Sequence, residues 1–183
     1  MIEEKVLNVK TEDSSEIRFV INTYGDIFSD FDPRSFSQKG LSADFLSAAK
    51  GATVDKPANK VDFIFLVPGK ERNVKDEVII KERLKKHFKK HLDLLEKERG
   101  KMLKQGSYFT VMGIILMIFA TFLLFKFKNR TLLASFFTVL LEPAGWFLFW
   151  EGMHQIVFDS KKSYPNLDFY RKMVGVNIKF SSI

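Results

Sequence analysis

The chain has 183 residues, with 29 lysines and arginines against 22 aspartates and glutamates, 20 phenylalanines and no cysteine. That length suits one domain, or one small domain with an appendage. The missing cysteines exclude a disulfide scaffold, a thiolate zinc site and a cysteine nucleophile. Charge is unevenly placed: residues 1–70 carry 9 basic and 11 acidic side chains, residues 71–106 carry 12 and 7, and residues 107–183 carry 8 and 4. The basic character belongs to a middle stretch and to the flanks of an apolar region, where half of the phenylalanines fall between Phe109 and Phe158.

In chain order, residues 5–9 and 16–21 alternate or run apolar around the polar cluster at 11–15, which predicts a β-hairpin. A loop rich in aspartate follows. Asp26, Asp30 and Asp32 with Arg34 form a candidate partner-binding loop, with Phe28, Phe31 and Phe36 expected to pin it to the core. Three carboxylates could attract a hard cation, but the glycine and terminal glutamate of an EF-hand loop are missing. Asp32 before Pro33 reads as a turn cap. Residues 41–50 predict a short helix, capped by Ser42 or Ser37 and ended by Gly51. Residues 61–67 (VDFIFLV) predict a strand stopped by Pro68 and Gly69. If it runs parallel to the earlier strand, the helix between them is a crossover.

From 74 to about 105 the spacing is helical. Val78, Leu84, Phe88, Leu92 and Leu95 mark an apolar face, and breaks are expected at Gly100 or Gly106. Lys85, Lys86, Lys89, Lys90, Lys101 and Lys104 are candidate contacts for anionic lipid headgroups. His87 and His91 have a zinc-compatible spacing. No third ligand is near, and the surrounding lysines repel a cation. No nucleic-acid-binding motif appears.

Residues 107–125 (SYFTVMGIILMIFATFLLF) hold no charge. As a helix they span about 28 Å, close to the thickness of a bilayer's hydrocarbon layer. Residues 131–150 form a second apolar stretch after a five-residue polar break. Together they predict a transmembrane helical hairpin, with a re-entrant hairpin as the alternative geometry. The first 25 residues lack a signal-peptide pattern, and basic residues are denser before the first stretch and after the second than between them. Both termini are therefore expected in the cytoplasm.

The second stretch carries a polar stripe, with Ser135, Thr138, Glu142, Pro143 and Gly145 at helical spacing. Its plain meaning is helix packing, since small and hydroxyl residues let membrane helices approach closely. Its sharper meaning is a water or proton path in an oligomer. A carboxylate about eleven residues into a span must be partnered, hydrated or protonated. Pro143 withholds a hydrogen bond from the carbonyl of Val139, so a kink is expected. At the C-terminus, Val174, Val176, Ile178 and Phe180 alternate with small or polar residues and predict a strand that returns to the N-terminal sheet.

The expected fold class is α+β. A small mixed sheet with helices is built from residues 1–73 and 173–183, followed by a long basic helix or stalk at 74–106. A hairpin spans 107–150 (helices at 107–125 and 131–150), and 151–172 connects it to the last strand. No phosphate-binding loop, dinucleotide fingerprint, nucleophile elbow or kinase signature is present. Neither cofactor nor metal is implied. The expected function is a non-enzymatic, membrane-anchored scaffold or regulator that binds a membrane-protein partner or itself. The alternatives are an oligomeric ion or proton conduit, or a membrane enzyme acting on lipid headgroups through Glu142, Glu151 or His154.

Overall fold

The computed structural model describes residues 16–56, 61–126, 132–162 and 164–183. The first element is β1 (Glu16–Val20), followed by α1 (Ala43–Thr53), β2 (Asp62–Val67) and α2 (Val74–Lys126). Then come α3 (Leu132–His154), a π-helical turn (Gln155–Asp159), the short α4 (Ser160–Lys162), α5 (Tyr164–Val174) and β3 (Asn177–Ser182). The fold is mixed α and β, with a three-stranded sheet and one long apolar helix.

The sheet order is β1-β2-β3, and both pairings are parallel. The return of the C-terminal strand is thus confirmed, with Phe63 in register with Ile178 and Phe65 with Phe180. The sheet differs from the expected mixed one, because every described pairing is parallel. The first strand of the expected hairpin, at 5–9, lies outside the described residues.

Cα-contact density divides the chain into two compact units. One takes in residues up to Asp93 and from Asn166 onward, the other Leu94–Pro165. In the first, period-two alternation sends Ile17, Phe19, Phe63, Phe65, Val67 and Ile178 into one face of the sheet. Phe65 is fully buried and meets Phe19 (5.5 Å, stacked), Phe45 (5.8 Å) and Phe180 (5.2 Å, stacked). Such pairs add about 0.5–1.5 kcal/mol each to their burial. Ala49 of α1, Ile80, Leu84 and Phe88 of α2, and Met173 of α5 complete the core.

Local chemistry sets the ends of these helices. Ser42 caps α1, accepting from the Asp44 amide at 3.2 Å. The helix does not stop at Gly51 but runs to Thr53, where the buried Lys172 Nζ donates to the Thr53 carbonyl at 3.2 Å. That ammonium also pairs with Asp168 at 2.8 Å, so a cation serves the helix C-terminus. Asn73 caps α2, accepting from the Lys75 amide at 3.1 Å.

Three further expectations are corrected. Helix α2 continues through Gly100 and Gly106 for 53 residues. On its face toward the core, Ile80 takes the place expected for Val78, which is 51% exposed. The stretch expected to be an open connector is helical instead, and its α5 buries Leu167, Phe169 and Met173.

Candidate functional site

In the second unit, α2 and α3 pack antiparallel along a seam of small residues spaced by seven. On α2 the seam residues are Gly106, Gly113 and Ala120, and on α3 they are Gly152, Gly145 and Thr138, all six buried. A Cβ added at Gly113 would lie 2.5 Å from the Phe149 amide nitrogen and 2.6 Å from the Gly145 carbonyl oxygen. One at Gly145 would lie 3.0 Å from the Gly113 carbonyl oxygen and 2.9 Å from Met117 Cγ. One at Gly106 would lie 2.9 Å from the Gly152 carbonyl oxygen, and one at Gly152 would press on the Thr110 hydroxyl. Backbones this close leave no room for a water between the helices. A seven-residue repeat is what keeps such a seam facing its partner over several turns.

The bulky side chains turn the other way. Ile115, Ile118, Phe119 and Phe122 of α2 and Phe136, Val139, Phe147 and Trp150 of α3 are exposed. Among the described residues one helix, α2, is long and apolar enough to cross a membrane.

This packing splits the polar stripe read in the sequence. Thr138 and Gly145 lie in the seam, Ser135 is half-buried, and Glu142 and Pro143 face outward. Helix α3 continues through Pro143. The plain reading of that stripe, close packing of two helices, holds for Thr138 and Gly145, which meet the small-residue face of α2. Beyond the seam, Arg99 Nη2 donates to the Tyr164 hydroxyl at 2.7 Å and its guanidinium lies 4.6 Å from that ring's centre. Gln155 donates to Glu151 at 2.9 Å, while His154 and Lys162 flank Asp159 at 3.6 and 2.8 Å. Glu151 and His154 thus each have a neighbour that holds them.

In the first unit the aspartate loop is braced from within. Asp32 accepts from Arg34 Nε at 2.8 Å, Arg34 Nη2 at 2.7 Å and the Gly40 amide at 2.7 Å. The Arg34 guanidinium, then the Gly40 amide, hold its carboxyl well below the usual carboxylate range. Asp26 accepts from the Asn22 amide at 2.8 Å, and Asp30 is exposed. Asp32 and Asp26 therefore shape the loop rather than converge on a cation, and no group of three or more candidate metal ligands occurs among the described residues. Phe28 is buried and stacks on Phe36 at 5.3 Å. Phe31 does not pin the loop, because it is 98% exposed.

Near the carboxyl ends of β1 and β2, an open depression of about 730 Å³ is lined by Tyr24, Phe36, Lys70, Arg72 and Asn73 among others. Its guanidinium is engaged. Arg72 forks onto the buried Glu77 at 2.9 and 3.1 Å, and the Tyr24 hydroxyl donates to the same carboxylate at 3.1 Å. Burial raises the Glu77 carboxyl, but Arg72 and Tyr24 outweigh it and hold the group below its ordinary range. Sequence spacing gave no sign of this triad, whose members lie up to 53 residues apart.

On α2 the rings of His87 and His91 are 4.2 Å apart, and Tyr170 of α5 stacks on His91 at 5.3 Å. Burial, then His91, pushes His87 down to about 4. This is a packed aromatic column. The six lysines read as lipid contacts, Lys85, Lys86, Lys89, Lys90, Lys101 and Lys104, are all exposed. Compared with family models, curated proteins and solved structures, the chain matches none.

Proposed function

We propose that this chain is a membrane-anchored adaptor without catalysis of its own. The α2–α3 hairpin crosses the bilayer twice, and both termini lie in the cytoplasm. The α/β unit binds a membrane-protein partner or a second copy at the inner face. The observation that carries this reading is the contact of the Gly113 and Gly145 backbones. It uses the small-residue stripe to close the hairpin, leaving a bulky apolar exterior for lipid. Lipid tails are as apolar as leucine, so helices associate in them by close packing and polar contacts rather than by burying bulk. The exposed lysines of α2 suit anionic headgroups at about 1 kcal/mol each.

Alkaline extraction of membranes tests the anchor. The chain should stay with the bilayer, and release would end the reading. Tags at each terminus should be cleaved by externally added protease only after the membrane is permeabilised. Replacing Asp26 and Asp30 should weaken partner capture without releasing the chain.

A second reading is favoured by Glu142, which faces outward from the hairpin. A ring of about four or more chains could gather these carboxylates into a path. Proton flux across liposomes that is abolished by Glu142→Gln would establish a conduit in place of an adaptor.

A further inference from the structure

We propose that the outward face of α3 around Glu142 is a docking site, within the bilayer, for a transmembrane helix of another protein that carries a lysine or arginine at mid-depth. The proposal deepens the adaptor reading by naming the chemistry of its membrane-protein partner, and it rests on the hairpin crossing the bilayer.

Two hydrogen-bond acceptors belong to this face. Glu142 is exposed, and Val139, Pro143 and Trp146 lie beside it on the same side of α3. Val139 is 71% exposed and Trp146 60%. In a helix the carbonyl of Val139 would be served by the amide four residues on, but Pro143 has no N–H to give. The face therefore combines a carboxylate with a backbone carbonyl that lacks its helical donor. A carboxylate at that depth must be partnered, hydrated or protonated.

Among the described residues no cation of the hairpin reaches it. Residues 107–125 hold no charge, and residues 131–150 hold Glu142 alone. Along α3, His154 lies about 18 Å from Glu142. In the other direction the helix starts at Leu132, about 15 Å away, and Lys128 and Arg130 come before that in the chain. Across the seam Gly145 meets Gly113 and Met117 of α2, and Lys126 ends that helix about 14 Å beyond Met117. A lysine or arginine side chain is too short to close such gaps.

Charge identifies the occupant. A second copy of this chain would bring a second carboxylate and no cation at that depth, and like charges at close range are unfavourable in a low dielectric. A helix with a central ammonium or guanidinium neutralises Glu142. Its several N–H groups can also reach more than one acceptor, so the Val139 carbonyl is served by the same side chain. Polar contacts of this kind, together with close packing, are what join helices among lipid tails.

The test uses the full chain in liposomes with three synthetic leucine–alanine transmembrane peptides that differ at one central position: lysine, leucine or glutamate. Fluorescence transfer between labelled chain and labelled peptide reports association. The lysine peptide should bind about tenfold tighter than the leucine peptide or better, and the glutamate peptide should gain nothing over leucine. Glu142→Gln should erase the preference, and Glu142→Lys should transfer it to the glutamate peptide. A wild-type chain that does not distinguish lysine from leucine overturns the proposal. So does a preference that survives Glu142→Gln. Disulfide cross-linking between copies carrying Val139→Cys, if Glu142→Gln abolishes it, also overturns the proposal by placing a second copy on this face. A cross-link between cysteines at Ala120 and Thr138 confirms that each Glu142 variant keeps its hairpin. Alkaline extraction reports the anchor separately, so a missing preference in a chain that stays with the bilayer counts against the docking site alone.

Discussion

The two units hold together by opposite means. In the α/β unit the contacts at the centre are large rings, and Phe65 alone meets four others. In the hairpin the contacts at the centre are glycines, and the rings point outward. On the proposed membrane anchor, the contrast follows from the solvent each surface meets. In water, burying apolar area is the dominant gain, at about 25 cal/mol per Å², so bulk goes inside. Among lipid tails that gain vanishes, and close backbone approach is what remains. One chain thus inverts its rule of construction within the single helix α2, between Phe88 and Gly113.

The largest expected effects separate the two rules. Phe65→Ala should cost the α/β unit about 3–5 kcal/mol, the usual range for a buried ring. Hydrogen exchange should show that loss in β1, β2 and β3 and not in the 107–125 segment. Gly113→Leu should cost the hairpin about 3 kcal/mol, because its side chain would have to displace the backbone of Phe149 and Gly145. Cross-linking between cysteines placed at Ala120 and Thr138 should fall in that variant, while exchange in the sheet stays unchanged. If Gly113→Leu leaves that cross-link intact, the seam is not what holds the helices together.

How much of this could be read in advance follows the same division. The strands at 62–67 and 177–182 and the Ser42 cap of α1 were legible, because alternation and capping are local signals. The connection of Glu77 to Tyr24 was not, since it depends on how distant loops meet. Glycines at 100 and 106 looked like breaks because glycine is a weak helix former in water. Gly106 instead marks the start of the seam, where having no side chain is an advantage. For the connector at 151–172 the sequence reading names no helix. Yet Pro165 lies in the first turn of α5, where proline is tolerated, and Leu167 and Tyr170 follow at helical spacing.

Electrostatics sharpen the picture of the α/β unit. Arg72→Ala should cost about 2 kcal/mol or more, because it leaves the buried Glu77 carboxylate with the Tyr24 hydroxyl and the more distant charge of Lys81. The Glu77 carboxyl is held below its unfolded value, so its contribution is present at neutral pH and is lost as pH falls through the folded pKa. His87 acts in a higher window. It titrates near 4 when folded and near 6.5 when unfolded, so the unfolded chain binds more protons between those values. Stability is therefore full above about pH 6.5 and declines as pH drops towards 4. The cations that face it are His91, Arg83 and Lys90, and none can compensate a second positive charge. Melting temperatures measured across that range should fall for the wild-type chain and stay flatter for His87→Phe.

The smallest stability effect is expected at Phe31, the one residue of the α/β unit that follows the hairpin's habit of turning a ring outward. It is 98% exposed, yet the loop that carries it is fixed by the bonds of Asp32 to Arg34 and Gly40. Phe31→Ser removes no buried area and should shift stability by less than about 0.5 kcal/mol. An exposed aromatic ring on a braced loop is a typical binding anchor, because contact removes a large apolar area from water. Capture of a partner by the aspartate loop should therefore fall by about tenfold or more in this variant, while the melting temperature holds. If the melting temperature falls instead, Phe31 has a structural role within the unit, and the inversion between the two regions is complete.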